Sequence, residues 1–243
     1  MKKLFIANWK MQLDYNSSLT LAKAFNKSFK KIKNEIVVVP DFTSLSAVRE
    51  ILKKSPLKLG AQDVASEILG AYTGEVSAKS LKQLGAKYVL VGHSERRLNF
   101  KEDATLLKEK LTSAMFAGLI PVFCIGENLA AHKAKKTHAV LRRQLEEVLT
   151  GLIVTSDTSL VIAYEPIWAI GSGKAATSSE VEATHVYIKG LLAEIIGQIP
   201  KVLYGGSISS KNTVEFLEWP NIDGLLVGGA SLKVDEFSKI VNV

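Results

Sequence analysis

Apolar positions in this chain come in two rhythms that take turns. Short runs rich in Leu, Ile and Val recur between longer stretches whose apolar residues fall three or four apart. The runs are LFIANWK (4–10), IVVVP (36–40), LKLGAQ (57–62), YVLVGH (88–93), PVFCIGE (121–127), LVIAYEP (160–166), KVLYGGS (201–207) and GLLVGGA (224–230). The runs predict strands, and the stretches between them predict helices. The runs start about 31 residues apart on average, the length of one strand–helix unit with its connections. Strands that are apolar at nearly every position belong in a parallel sheet covered on both faces. Repeated units with no dividing linker predict a single α/β domain over residues 1–243, a closed (β/α)8 barrel. An open doubly wound sheet is the alternative; it calls for a Gly-rich turn after the first strand, where this chain has NWKMQL.

Helix boundaries are marked by capping residues. Ser17 is expected to open the first helix, Ser77 to open AKSLKQLG with Gly85 as its stop, and Thr177 with Glu180 to form a capping box before VEATHVYIKGLLAEII.

The polar residues point to where the chemistry lies. Nearly every predicted strand ends in residues that make a poor core: Asn8 and Lys10, Gln62, His93 and Glu95, Glu127, Glu165, Gly205-Gly206-Ser207, and Gly228-Gly229. In a parallel barrel these ends meet on one face, the face that carries active sites. Glycine pairs after the seventh and eighth strands let backbone N–H groups approach a phosphate, and Ser207 adds a hydroxyl.

Composition narrows the partners. The formal charge of +7 suits an anionic substrate, but the basic residues are spread out and interleaved with acids. The densest cluster, HKAKKTHAVLRRQ (132–144), reads as the solvated face of one helix. Aromatic residues are not interleaved with basic ones as nucleic-acid binding would need, no apolar run is long enough to span a membrane, and His93, His132, His138 and His185 lack metal-ligand spacing. The single cysteine, Cys124, cannot form an intrachain disulfide, which suits the cytoplasm. No metal and no cofactor is expected.

Three catalytic patterns fail on inspection. GSGKAA (171–176) begins too far past its strand for a dinucleotide turn, Trp168 and Ala175 break a P-loop, and Arg96 replaces the second glycine that GHSER (92–96) would need as a nucleophile elbow.

Taken together, NWKM (8–11), GAYTGEVS (70–77), GHSERR (92–97), AYEPIWAIGSGKAAT (163–177), YGGS (204–207) and LLVGGASL (225–232) resemble the triosephosphate isomerase family, in order and over essentially the whole chain. The resemblance implies a cofactor-free homodimeric enzyme that interconverts dihydroxyacetone phosphate and glyceraldehyde 3-phosphate through an enediolate. It implies Glu165 as the base, which a closing apolar lid would make more basic. It implies His93 as a neutral electrophile, its pKa lowered by the helix N-terminus that follows. Lys10 would neutralise developing charge and Asn8 would orient it. Gly171, Ser207, Gly228 and Gly229 would hold the phosphate.

Supporting roles are expected for Glu95 near Lys10, for Cys124 as a small core residue near the base, and for Arg96 and Glu127 as an ion pair. The resemblance implies a lid made of Pro166, Ile167, Trp168, Ala169, Ile170, Gly171, Ser172, Gly173, Lys174, Ala175 and Ala176, with Ile170 covering the base and Trp168 packing at the hinge. Its apolar residues make sense if closure buries them over substrate and keeps water from the intermediate. Thr73, on the long loop 62–75, would reach the partner's active site. Gln12, Asp63, Ser172 and Ala175 depart from the family pattern without removing a group the chemistry needs.

Two other classes are compatible with the fold. A barrel that had lost catalysis would show no turnover, and a Schiff-base aldolase would carry a lysine on a strand inside the barrel.

Overall fold

The computed structural model describes residues 2–154, 159–170 and 176–242. Strands β1 (Leu4–Asn8), β2 (Glu35–Val39), β3 (Lys58–Ala61), β4 (Ala86–Val91), β5 (Ile120–Ile125), β6 (Val161–Tyr164), β7 (Lys201–Tyr204) and β8 (Gly224–Val227) pair in sequence order, and β8 pairs with β1 to close a barrel. Every pairing is parallel. The strands form where the apolar runs predict, each shorter at its C-terminal end than its run. The polar tails of the runs are loops at the barrel mouth.

Around the barrel lie helices α1 (Tyr15–Ser28), α2 (Leu45–Leu52), α3 (Ala78–Gln83), α4 (Ser94–Asn99), α5 (Ala104–Phe116), α6 (Leu129–Lys133), α7 (Thr137–Leu149), α8 (Ser178–Ile196), α9 (Thr213–Leu217) and α10 (Val234–Val241). None of the helices among the described residues is long and apolar enough to cross a membrane.

Successive strand residues face opposite ways, so one apolar run supplies two cores. Leu4 and Ile6 of β1 point into the barrel with Val37, Val39, Leu90, Val122 and Cys124. Phe5 and Ala7 point outward into the larger core beneath the helices. There Trp9, Phe25, Phe29 and Phe237 stack edge to face or in parallel, with centroids 5.1–5.8 Å apart, tying α1 and α10 to β1.

The seam between first and last strands depends on a glycine. Gly224 pairs with Leu4, and a Cβ on it would lie 1.8 Å from the Leu4 carbonyl oxygen. No side chain fits that approach.

Two local expectations need correction. The first helix is capped by Asp14, whose carboxylate accepts the Ser17 N–H at 2.7 Å, so Ser17 lies within the first turn. An aspartate caps as well as a serine, so the pattern alone does not choose between them. The basic segment 132–144 spans two helices, α6 and α7, broken where Lys135 adopts φ 55°. The capping box of Thr177 and Glu180 and the Ser77 cap both form.

Candidate active site

At the C-terminal mouth of the barrel a cavity of about 460 Å³ is lined by Asn8 at the end of β1 and Lys10 just after it, His93 after β4, Glu165 after β6, and the glycine loops after β7 and β8. Its charged groups come from strands far apart in sequence, as barrel closure requires.

Lys10 has the left-handed φ of 54°, an unfavourable state for a residue with a side chain. Its backbone is held from two sides. The Lys10 N–H donates to Asn8 Oδ1 at 3.0 Å, and Gln62 Nε2 donates to the Lys10 carbonyl at 2.7 Å. The ammonium then reaches Glu95 Oε1 at 2.6 Å. Gln62 was visible in the sequence as a poor core residue at a strand end; its job is to fix Lys10.

His93 is the residue before α4. Its Nδ1 accepts the Glu95 N–H at 3.3 Å, which leaves the ring proton on Nε2, and Nε2 lies 3.1 Å from Glu165 Oε1. The other Glu165 oxygen accepts the Ser94 N–H at 3.1 Å. Burial alone would lower the His93 pKa, but the Glu165 carboxylate outweighs it and the net direction is upward. Burial alone would raise the Glu165 pKa, but the imidazole and the Ser94 N–H hold it below the usual carboxylate range.

Both directions are opposite to those expected from the sequence, and one fact explains both. His93 and Glu165 face each other, so each favours the charged form of its neighbour and together they outweigh burial and the helix N-terminus.

Glycines set the position of the base. Gly126, at the end of β5, packs so close to Glu165 that a Cβ would lie 1.7 Å from its carbonyl oxygen, and a Cβ on Gly205 would approach Glu165 Cγ to 3.0 Å. Gly228 lies beside Lys10, and Gly229 begins a single-turn 3-10 helix, Gly229–Leu232, on the same cavity wall. Cys124 is buried in the barrel interior, and burial pushes its thiol well above the ordinary range, so it is inert.

The start of the lid forms a single 3-10 turn, Ile167–Ala169, after Pro166. Trp168 Nε1 donates to Glu127 Oε1 at 2.7 Å, Tyr164 donates its hydroxyl to the same carboxylate, and His132 stacks on the Trp168 indole at 4.0 Å. Ser207 Oγ donates to the Ala169 carbonyl at 2.5 Å. Ile170 lines the cavity, and Ala176 is buried at the far end of the loop. Gly171, Ser172, Gly173, Lys174 and Ala175 lie outside the described residues.

A model of the family "Triosephosphate isomerase" matches residues 3–243. The chain belongs to the triosephosphate isomerase family. It is 43% identical to the triosephosphate isomerase of Dehalococcoides mccartyi over 99% of this chain and 96% of that protein. It is 40% identical to that of Thermoanaerobacter pseudethanolicus over 99% of each chain. The crystal structure of triosephosphate isomerase from Bartonella henselae superposes with a TM-score of 0.89 at 34% identity, covering 99% of this chain and 98% of that one.

Within this triosephosphate isomerase fold, one expected contact does not form. Arg96 and Glu127 do not pair. Arg96 binds Asp63 Oδ2 at 2.8 Å and Glu102 Oε1 at 2.7 Å, and Lys110 completes the cluster at 2.8 Å from Asp63 and 2.5 Å from Glu102. Glu127 is instead occupied by the indole and phenol at the lid root. Two acids and two bases thus neutralise each other behind α4, and Asp63 supplies the second acid. The lysines that lie on strands, Lys58, Lys87 and Lys201, sit at strand starts away from the mouth and are exposed or half-buried, so none offers an interior amine for Schiff-base chemistry.

Proposed function

We propose that this member of the triosephosphate isomerase family interconverts dihydroxyacetone phosphate and D-glyceraldehyde 3-phosphate with Glu165 as base and His93 as electrophile. The observation that carries the reading is the 3.1 Å contact between Glu165 and the Nε2 edge of His93, at the floor of a cavity whose opposite wall is Lys10 and the glycine loops. A carboxylate and an imidazole held together at the floor of such a cavity are the base and the proton donor that moving a proton beside a carbonyl needs.

Glu165 removes a proton from the carbon beside the carbonyl and returns it to the neighbouring carbon. His93 donates from Nε2 to one oxygen of the enediolate and recovers a proton from the other. Lys10 offsets the oxyanion and phosphate charge, and Asn8 holds the Lys10 backbone. The phosphate sits against Gly228, Gly229, Ser207 and the Gly171 N–H, with the lid from Pro166 to Ala176 excluding water.

The chain forms one domain and works as a homodimer in the cytoplasm. Its loop 62–75 is closed at its base by the Ala65 N–H on the Val76 carbonyl yet leaves Leu69 72% and Tyr72 51% exposed, with Thr73 at the tip. Met11, beside Lys10, is 92% exposed. Apolar surface of that kind is suited to burial by a second subunit.

The test is turnover of D-glyceraldehyde 3-phosphate in a coupled assay with no cofactor added to the isomerase. Wild-type protein turns over, and Glu165→Asp loses roughly 100-fold or more in kcat with little change in KM, because retracting the carboxylate by about 1 Å misplaces the base. Absence of turnover in the wild type, or an unchanged kcat in the variant, overturns the reading.

A further inference from the structure

A second cavity of about 460 Å³ lies on the outer side of the lid root, between α4, α6 and α7. Its apolar wall is formed by Leu98, Ala131, Val140, Ile167 and Ile170. Its amides are already engaged. Gln144 bonds both the N–H and the carbonyl of Gly126, and Asn128 caps α6 by accepting the Ala131 N–H. The one acid in the wall, Glu95, is engaged by Lys10 at 2.6 Å.

The two guanidinium groups of the wall differ from these. Arg97 donates Nε to the Gly92 carbonyl and Nη2 to the Cys124 carbonyl, each at 2.8 Å, and lies over the Phe123 ring at 5.3 Å. Among the described residues no carboxylate comes within 4.0 Å of it, nor of Arg143, which enters the same wall from α7. A cation held largely out of water by carbonyls and an aromatic face carries a desolvation cost that a counter-ion would offset. Burial also lowers the Arg97 pKa.

We propose that this cavity is a binding site for a compact monocarboxylate with an apolar body, its carboxylate on Arg97 and Arg143 and its body against Val140, Leu98 and the lid-root isoleucines. A monoanion fits better than a phosphate dianion, because a second buried negative charge would have no second buried cation to meet. Ile170 lines both this cavity and the catalytic one, so an occupant here bears on the residue that faces substrate. That consequence for turnover rests on the function proposed above; the binding does not.

Benzoate is a suitable probe and benzamide its neutral counterpart. Methyl NMR of the whole protein, titrated with each in the presence and absence of phosphoglycolate, reads Leu98, Ala131, Val140 and Ile167 directly. Benzoate is expected to give saturable shifts at these methyls whether or not phosphoglycolate is present, with benzamide at least tenfold weaker. Arg143→Glu, on an exposed position, and Val140→Trp, which fills the cavity from a half-exposed position, should each weaken benzoate at least tenfold while leaving the fold intact. Saturating benzoate should also lower kcat without raising KM in proportion. No saturable shift in the wild type, equal binding of benzamide, or unchanged affinity in both variants overturns the site. Binding without any effect on turnover overturns only the link through Ile170.

Discussion

His185 makes the stability of this protein depend on pH in a way that can be calculated. The ring lies in the middle of α8, fully buried, with Nδ1 3.2 Å from the Asn221 carbonyl, Nε2 without a partner, and Tyr164 edge-on at 6.0 Å. Burial, opposed only in part by Asn221 and Asp223, depresses its pKa to about 4. The unfolded chain returns it to about 6.5. Between these values the unfolded state holds the extra proton, so stability is at its full value above pH 6.5 and falls as the pH drops toward 4. Going from pH 8 to pH 5 should cost about 2 kcal/mol from this one group, since one pKa unit corresponds to about 1.4 kcal/mol. For a chain of this size that is roughly 4–8 °C in the midpoint of thermal unfolding. The assay is thermal or urea unfolding at fixed protein concentration from pH 8 to pH 5, for wild type and His185→Phe. Phenylalanine leaves the Asn221 carbonyl unpaired at every pH, so it lowers the whole curve, but it removes the proton and flattens the slope by that amount. Parallel curves for the two proteins would refute the assignment.

Three further outcomes follow from the geometry. Gly126→Ala puts a methyl where the Glu165 carbonyl oxygen lies, so kcat should fall at least as far as in Glu165→Asp; near-normal kcat in the purified variant would show that the backbone there can yield. Ser207→Ala removes the hydroxyl that donates to the Ala169 carbonyl and that is proposed to turn to the phosphate, and should weaken phosphoglycolate about tenfold or more, since bonds to charged groups contribute about 1.5–3 kcal/mol; an unchanged dissociation constant would refute the proposed phosphate role of Ser207. Thr73 is exposed within one chain, so Thr73→Arg costs the protomer little, yet it should sediment as a monomer and lose most activity; a fully active monomer would refute the coupling of assembly to catalysis.

Much of this molecule could be read from its sequence because a barrel writes its plan in short-range terms. Apolar runs mark the strands, and the residues that spoil them, Asn8, Gln62, His93 and Glu165, mark the mouth. Thr177 and Glu180 specify a cap within four residues of each other. What the pattern did not reveal depends on which distant groups meet. Arg96 had acids available after several strands, and its choice of Asp63 and Glu102 is a matter of where α4, α5 and the loop after β3 come together in space. Nothing in the sequence around Gly126 marks its role; the approach of the Glu165 backbone explains it. The Glu165 and His93 pKa directions could not be read either, since each depends on what the other group faces.

The glycine at the barrel seam has a consequence for how activity appears during refolding. Asn8 ends β1 and Lys10 follows it, while Gly228 and Gly229 follow β8, so the two flanks of the site belong to distant parts of the chain and meet only when Gly224 docks on Leu4. That contact spans nearly the full length of the sequence, and its loop-closure entropy must be met before any catalytic reward exists. Helix content and the inner strands can therefore recover while the protein remains catalytically silent. Regain of activity should be the slowest signal in a stopped-flow or manual-mixing series, and chain synthesis should yield no working site until β8 and the glycines after it have emerged and the ring has shut.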